Sequence, residues 1–243
     1  MKLNCDMGEG FGSCEIGQDK QIMPFIDMAN IACGFHASDP HIMHHTIALA
    51  VEHKVIIGAH PGYPDLAGFG RTAMSFSATE LQNIILYQIG ALQALCHVHK
   101  AVVSYVKPHG ALYHQMMSDL DVFTTIVKAI SLVEQQPTLM IMATQHRQSY
   151  VTIANQYGVS LLFEAFCDRA YSDEGLLQSR SIKGAVYDQL TTIEKQATQL
   201  IQQQSVTTAS GKILSVNADT LCVHGDSTLA LASIQKIRGL LAL

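Results

Sequence analysis

Nine residues that can transfer protons or bind ligands lie in short polar motifs, each at or just after the end of an apolar run. They are Asp6, Glu9, His36, His60, Lys107, His109, Asp168, Arg169 and His224. Imidazole titrates near neutral pH and carboxylates complement it, so this set suits general acid–base catalysis. The candidate catalytic residues are Asp6, Glu9, His36, His60, His109 and His224.

Part of the same set is suited to binding a divalent metal, because imidazole nitrogens and carboxylate oxygens are common ligands of such cations. The candidate ligands are Asp6, His36, His60 and His109. Their spacing does not place them on one element, so the residues alone leave acid–base catalysis and metal binding both open.

Three cations and one carboxylate are candidates for binding the substrate or a phosphate. For Lys107 we favour an anchor for a carboxylate or phosphate, and the alternatives are a Schiff-base nucleophile and a structural salt bridge. Arg169 beside Asp168 suits a bidentate clamp on an anion or an internal ion pair. Arg71 would either contact an acidic ligand or lie at the surface.

The elements that carry these motifs alternate between short apolar runs and longer amphipathic segments, which predicts strand–helix units and a parallel sheet. Predicted strands are 3–6, 29–33, 55–60, 102–107, 138–143, 160–165, 213–216 and 220–223. Predicted helices are 39–53, 78–98, 119–135, 145–157, 184–204 and 227–241. Asp39 with Pro40, a capping box at 77–80, and Asp226 are the expected helix starts.

Seven or eight such units close most naturally into a barrel, with an open doubly wound sheet as the alternative. In either fold the carboxyl ends of the parallel strands meet on one face, which brings the polar motifs together. The Gly/Pro-rich stretch 61–71 follows one of these strand ends and suits a loop that covers the substrate.

The bulk composition is that of a globular protein, with 48% hydrophobic and 14% charged residues among 243. A net charge of −5 gives no basic surface for nucleic acid or an anionic membrane, and no apolar stretch is long enough to span a bilayer. The polar N-terminus does not resemble a signal peptide, and the six scattered cysteines suit buried thiols. We therefore expect a cytoplasmic protein and, without a linker-like segment, a single domain over 1–243.

Two nucleotide-binding motifs and one metalloprotease motif are not supported. The G-x-G-x-x-A match at 68–73 has no strand directly before it, and G-x-x-x-x-G-K-[ST] does not occur. His41, His44 and His45 lack the glutamate of H-E-x-x-H and are expected on an exposed helix surface.

Eight of the motifs, in order from residue 3 to about 228, resemble the LamB/YcsF family. They are N-C-D-M-G-E at 4–9, N-I-A-C-G-F-H-A at 30–37, I-G-A-H-P at 57–61, G-F-G-R at 68–71, Y-Q-I-G-A-L at 87–92, V-K-P-H-G-A-L-Y at 106–113, D-R-A-Y at 168–171 and C-V-H-G-D at 222–226. The resemblance implies an irregular barrel of seven βα units, similar to the barrel of polysaccharide deacetylases.

The family is similar to the A subunit of the prokaryotic 5-oxoprolinase, which opens 5-oxo-L-proline to L-glutamate with ATP hydrolysis, together with subunits B and C. The resemblance therefore implies ATP as cosubstrate and those two subunits as partners. Two other functions remain open from the residues: a metal-dependent deacetylase or carbohydrate hydrolase, and a non-catalytic subunit that only binds substrate.

Overall fold

The computed structural model of the chain describes residues 1–14 and 16–242. Glu15 and Leu243, which the single-domain prediction for 1–243 includes, lie outside the described residues. The strands in that part of the chain are β1 Lys2–Met7, β2 Met28–Ala32, β3 Ile56–His60, β4 Tyr105–Val106, β5 Thr138–Met142, β6 Leu161–Phe166, β7 Ser205–Thr207, β8 Ile213–Ser215 and β9 Thr220–Val223.

Seven parallel strands close into a barrel in the order β1-β2-β3-β4-β5-β6-β9. The closure is direct, because Cys5 on β1 is in register with Ala29 of β2 on one side and with Val223 of β9 on the other. The predicted α/β barrel of seven units is therefore confirmed, and the open sheet is excluded.

One predicted barrel strand was wrong. Residues 213–215 form β8, which pairs antiparallel with β7 in a separate two-stranded sheet. The short apolar run there resembles a barrel strand, yet both ends of β8 are exposed. Such a run cannot be assigned to a sheet from periodicity alone.

The helices of the described chain surround the barrel. They are α1 Asp19–Ile22, α2 Pro40–Glu52, α3 Ala78–Val98, α4 Gly110–Ser118, α5 Leu120–Ser131, α6 Arg147–Gln156, α7 Leu190–Gln203 and α8 Ala230–Leu241, with a 3-10 turn at Met23–Phe25. None of the described helices combines the length and apolarity that crossing a bilayer requires.

Two of the predicted helix starts are confirmed and one was wrong. The Asp39 carboxylate accepts the first backbone N–H groups of α2, and Ser77 forms a capping box with Glu80 at α3. Asp226 does not cap α8, which begins after Leu229, because its carboxylate binds Arg71 instead. A charged partner distant in sequence has therefore replaced the local backbone contact.

The barrel interior changes from apolar to polar toward the carboxyl ends of the strands. Alternate strand residues point inward, and the lower layer is apolar, formed by Met28, Ile56, Tyr105, Met140 and Leu162. A Cβ at Gly58 would lie 2.2 Å from the ring of Tyr105, so only glycine leaves room for that ring. Above it, Asn30 joins the network by donating to Asn4 Oδ1 at 2.9 Å and Asp6 Oδ1 at 2.7 Å. The interior thus ends in polar groups where the site begins.

Candidate active site

The structure gathers the nine predicted residues at the carboxyl end of the barrel. Eight of them are at most 5% exposed, and His224 is partly exposed. They form two groups. We call Glu9, His36, His60 and His109 the His/Glu cluster, and Asp168 with His224 the Asp–His pair.

Glu9 lies at the centre of the His/Glu cluster. Its Oε1 is 3.3 Å from His36 Nε2, 3.3 Å from His109 Nδ1 and 3.9 Å from His60 Nε2. Glu9 follows β1 by two residues, and the turn through Gly8, at φ +69°, brings it back over the strand end. One carboxylate oxygen therefore faces three imidazoles that come from three different elements.

Backbone carbonyls determine which nitrogens of His60 and His109 carry hydrogen. His60 Nδ1 is 2.6 Å from the carbonyl oxygen of Lys107, and His109 Nε2 is 2.9 Å from that of Phe69. A carbonyl only accepts, so both of these nitrogens donate. In the neutral rings the remaining nitrogens, His60 Nε2 and His109 Nδ1, are then unprotonated. They face each other at 2.9 Å, an arrangement that requires a proton or a cation between them.

The pKa values favour neutral imidazoles in this cluster. Burial, followed by the neighbouring histidines, lowers the pKa of His36 and of His109 well below the usual value. Burial, together with the charges of Asp6 and Asp226, raises the pKa of Glu9 well above its usual range. Neutral imidazoles with free lone pairs and a carboxylate short of positive charge are what a metal ion needs.

The His/Glu cluster has the composition and compactness of a metal site. Its members each offer one ligand atom, and these atoms all lie within 4.8 Å of one another. Three of the four predicted ligands belong to it, but the carboxylate is Glu9 where the sequence suggested Asp6. Asp6 faces away from the cluster's centre, toward Lys107 and Asn30, with only His60 Nε2 at 3.5 Å.

Lys107 lies inside the barrel between two carboxylates. Its Nζ is 3.0 Å from Asp6 Oδ1, 3.1 Å from Glu164 Oε2 and 3.2 Å from Cys222 Sγ. Burial opposes the charge, yet Asp6, Cys222 and Glu164 outweigh it and raise the Lys107 pKa well above its usual value. Similarly, His60 and Lys107 overcome burial and lower the Asp6 pKa. These contacts favour a role for Lys107 in positioning Asp6, and its role as a substrate anchor stays a prediction.

The Asp–His pair forms the second part of the site. His224 Nδ1 is 2.9 Å from Asp168 Oδ2, and its backbone N–H donates to the same oxygen at 3.0 Å. Burial opposes ionisation, but the charge and hydrogen bonds of His224 lower the Asp168 pKa. An ionised Asp168 holds the proton on Nδ1, which leaves Nε2 of neutral His224 as a base.

A cavity of about 330 Å³ connects the two groups, lined among others by Asp6, His60, His109 and His224. Arg71, Arg169 and Arg180 also line it. The predicted ion pair between Arg169 and Asp168 is not formed, because Asp168 binds His224. Arg169 donates instead to the carbonyls of Gln178 and Ala185.

The Gly/Pro-rich loop packs over the His/Glu cluster. A Cβ at Gly70 would lie 2.6 Å from His36 Cβ and 2.8 Å from His109 Cδ2. The rings of His36 and His109 stack beneath this loop with centroids 3.7 Å apart. The sequence therefore located this loop correctly beside the site, and its opening and closing over substrate stays a prediction.

Two residues of the site had no predicted role. Glu164 lies inside an apolar strand, where a buried carboxylate is a signal of a special function. Arg180 lies in the long loop 167–189, whose residues have no periodic pattern that relates them to the barrel. The strand position could have identified Glu164, whereas no comparable signal exists for Arg180.

Comparison with known proteins gives consistent results along the chain. The sequence profile described as LamB/YcsF family matches residues 1–242. The 5-oxoprolinase A subunit of Vibrio parahaemolyticus serotype O3:K6 (strain RIMD 2210633) is 53% identical over 98% of this chain and 94% of that protein. The protein of the same description from Pseudomonas fluorescens (strain Pf0-1) is 49% identical over 97% and 94%.

A solved structure extends the similarity to three dimensions. The lactam utilization protein from Thermus thermophilus is 35% identical, with a TM-score of 0.90 over 100% of this chain and 96% of that one. The resemblance seen in the eight sequence motifs is thus confirmed. The chain belongs to the LamB/YcsF family.

Proposed function

We propose that the chain is the A subunit of an ATP-dependent 5-oxoprolinase, which hydrolyses the lactam ring of 5-oxo-L-proline to L-glutamate while ATP is hydrolysed to ADP and phosphate. The observation that carries the proposal is the cavity in which the Asp–His pair and the His/Glu cluster face the same space. Relatives about half identical to the chain carry this description, and the similar Thermus protein is described by lactam utilization.

Ring opening needs activation, because a lactam amide is a poor electrophile. One route transfers the γ-phosphoryl group of ATP to the lactam oxygen, releasing ADP. Water then adds to the activated carbon, and the C–N bond breaks as the nitrogen takes up a proton. A second water hydrolyses the resulting acyl phosphate to glutamate and phosphate. This sequence requires a base for water and an acid for the nitrogen.

His224 is the best candidate for the base. Its Nδ1–H is held by Asp168, which stabilises the imidazolium that forms when Nε2 takes a proton from water. Asp6 and His60, which line the same cavity, are placed to hold and transfer protons on the opposite side. A base on one side and an acid on the other match the two proton transfers of the reaction.

The His/Glu cluster would hold a divalent metal through Glu9, His36, His60 and His109. Such a cation would polarise the lactam or phosphoryl oxygen. The two opposed lone pairs of His60 and His109 support this part of the proposal. ATP is part of the proposal as cosubstrate, and because the chain has no P-loop, its binding is expected to involve subunits B and C.

The remaining expectations belong to the same proposal. All six cysteines are free thiols, which suits the reducing cytoplasm. The partners we propose are 5-oxoprolinase subunits B and C and a small-molecule substrate, without nucleic acid or membrane.

The His/Glu cluster also supports a second candidate, a metal-dependent deacetylase or carbohydrate hydrolase. That enzyme would work without ATP and without a lactam. Release of acetate or sugar by the metal-loaded chain alone would favour it. Binding of 5-oxoproline without turnover in the complete complex would favour a non-catalytic binding subunit.

The test is glutamate formation from L-5-oxoproline and ATP by the chain alone and after addition of candidate subunits B and C, with B and C alone as control. We expect little or no turnover by the isolated chain and ATP-coupled glutamate formation by the three together. No turnover by the full set would contradict the proposal. Robust ATP-dependent turnover by the chain alone would remove the need for partners.

A further inference from the structure

The wall of the cavity opposite the His/Glu cluster carries an excess of positive charge. Arg71, Arg169 and Arg180 all line it. Asp226 binds Arg71, with Nη2 to Oδ2 at 2.6 Å, and lies 3.9 Å from Arg180 Nη1, beyond hydrogen-bond distance. Asp168 is bound by His224. Within the described residues, Arg169 and Arg180 thus have no close carboxylate partner.

The loop 167–189 holds Arg180 at this wall. Arg169 Nε donates to the Ala185 carbonyl at 3.1 Å, and its Nη2 donates to the Gln178 carbonyl at 2.6 Å. The backbone of Ala170 pairs with the same two residues. Arg169 therefore fastens the loop on both sides of Arg180. The Arg180 side chain is 28% exposed and can turn toward the cavity.

Neighbouring groups sense this positive potential. His114 also lines the cavity, and burial together with Arg169, Arg180 and His224 lowers its pKa to about 4. Burial and then the Arg180 charge lower the pKa of Arg169 to about 10. A wall that disfavours a further positive charge on two of its members is complementary to an anion.

Lys107 is not free to supply that complement. Its ammonium group is shared between Asp6 and Glu164 inside the barrel. The substrate under the proposed function has one permanent anionic group, the carboxylate next to the ring nitrogen. The lactam oxygen, where the phosphoryl group would be attached, belongs at the His/Glu side of the cavity.

The geometry points to Arg180 as a specificity-determining residue that binds the substrate carboxylate and selects lactams carrying one. This inference rests on the proposed function and adds a residue to its site. A planar guanidinium can bind a carboxylate through two parallel hydrogen bonds. A lactam without a carboxylate, such as 2-pyrrolidinone, would leave the arginines unpaired.

The test compares Arg180→Gln with Lys183→Gln, a control that removes a positive charge from an exposed residue of the same loop. Calorimetric titration of the assembled complex would use L-5-oxoproline and 2-pyrrolidinone separately. We expect wild type to prefer 5-oxoproline by at least about tenfold. Arg180→Gln should weaken 5-oxoproline binding by about ten- to hundredfold, the usual range for a charge-assisted hydrogen bond, and change 2-pyrrolidinone less than about threefold. Lys183→Gln should resemble wild type.

Other outcomes overturn the assignment in distinguishable ways. Equal weakening of both lactams would show that Arg180 acts by holding the loop. Unchanged 5-oxoproline affinity with weaker competition by inorganic phosphate would move the subsite to a phosphoryl group. Wild-type preference for 5-oxoproline that survives Arg180→Gln would place the selecting group elsewhere. Absence of any lactam binding or turnover in wild type would instead contradict the proposed function itself.

Discussion

His60 and His109 each have one nitrogen fixed as a donor by a backbone carbonyl, so their other nitrogens face each other at 2.9 Å. This contact is stable only with a proton or a cation between the rings. We predict that the purified chain binds a divalent metal such as Zn²⁺ and that His109→Ala weakens the binding at least about hundredfold, because one ligand is lost. Calorimetric titration measures this, with exposed His97→Ala as the control. Equal affinity in wild type and His109→Ala would contradict the metal assignment.

Lys107 neutralises two buried carboxylates, so its removal should cost stability. We predict that Lys107→Met lowers the free energy of unfolding by about 3–5 kcal/mol, the usual cost of leaving buried charge unpaired. Adding Glu164→Gln should recover part of that loss, because one carboxylate is then neutral. Denaturant unfolding of the two variants measures both effects. An unchanged free energy of unfolding together with lost 5-oxoproline binding would support the anchor interpretation instead.

Asp168 gives a pH-dependent prediction. Its pKa is lowered in the folded chain, chiefly because the His224 charge and hydrogen bonds overcome the effect of burial. A lowered folded pKa stabilises the fold above the unfolded Asp pKa of about 3.9, and this contribution disappears as pH falls through the folded value. The stability difference between wild type and Asp168→Asn should therefore be present at about pH 5–7 and shrink below about pH 4. A difference that grows on acidification would contradict this assignment.

At the scale of elements, the loop after β3 fixes the His/Glu cluster through Gly70. Its φ of +65° and its contact with His36 and His109 leave no room for a side chain. We predict that Gly70→Ala destabilises the fold and weakens metal binding. Gly90→Ala is the matched control, because Gly90 lies in α3 with open space around its Cβ position and should gain about 0.5–1 kcal/mol. Wild-type metal affinity in Gly70→Ala would show that the loop does not position the histidines.

The start of α3 followed from its capping box, while α4 did not appear in the sequence-based prediction. α4 begins at Gly110 with φ +52°, and its N-cap His109 makes no side-chain cap hydrogen bond. Without a start signal, the segment resembled a strand end followed by a loop. The predicted helix 184–204 similarly began too early, because α7 starts only at Leu190, after a loop fixed by Arg169. Contacts distant in sequence determined both differences.

At the scale of the whole molecule, the convergence of strand ends was predictable and the pairing within the site was not. Parallel strands in βα units bring Asp6, His60 and His224 to one face in any barrel. The choice of Glu9 over Asp6 in the His/Glu cluster depends on the turn at Gly8 and on Lys107, which binds Asp6 from inside the barrel. Such choices depend on side-chain orientation, which a sequence pattern does not contain.

The central claim is that the Asp–His pair at this cavity carries out lactam hydrolysis, and the rate of glutamate formation by His224→Asn in the assembled complex tests it most directly. Asparagine retains a side chain that can hydrogen-bond to Asp168 but cannot take a proton from water. Loss of general base catalysis predicts a fall in kcat of about 10²–10⁴-fold, while exposed His97→Asn keeps the wild-type rate. A wild-type rate in folded His224→Asn would contradict the account.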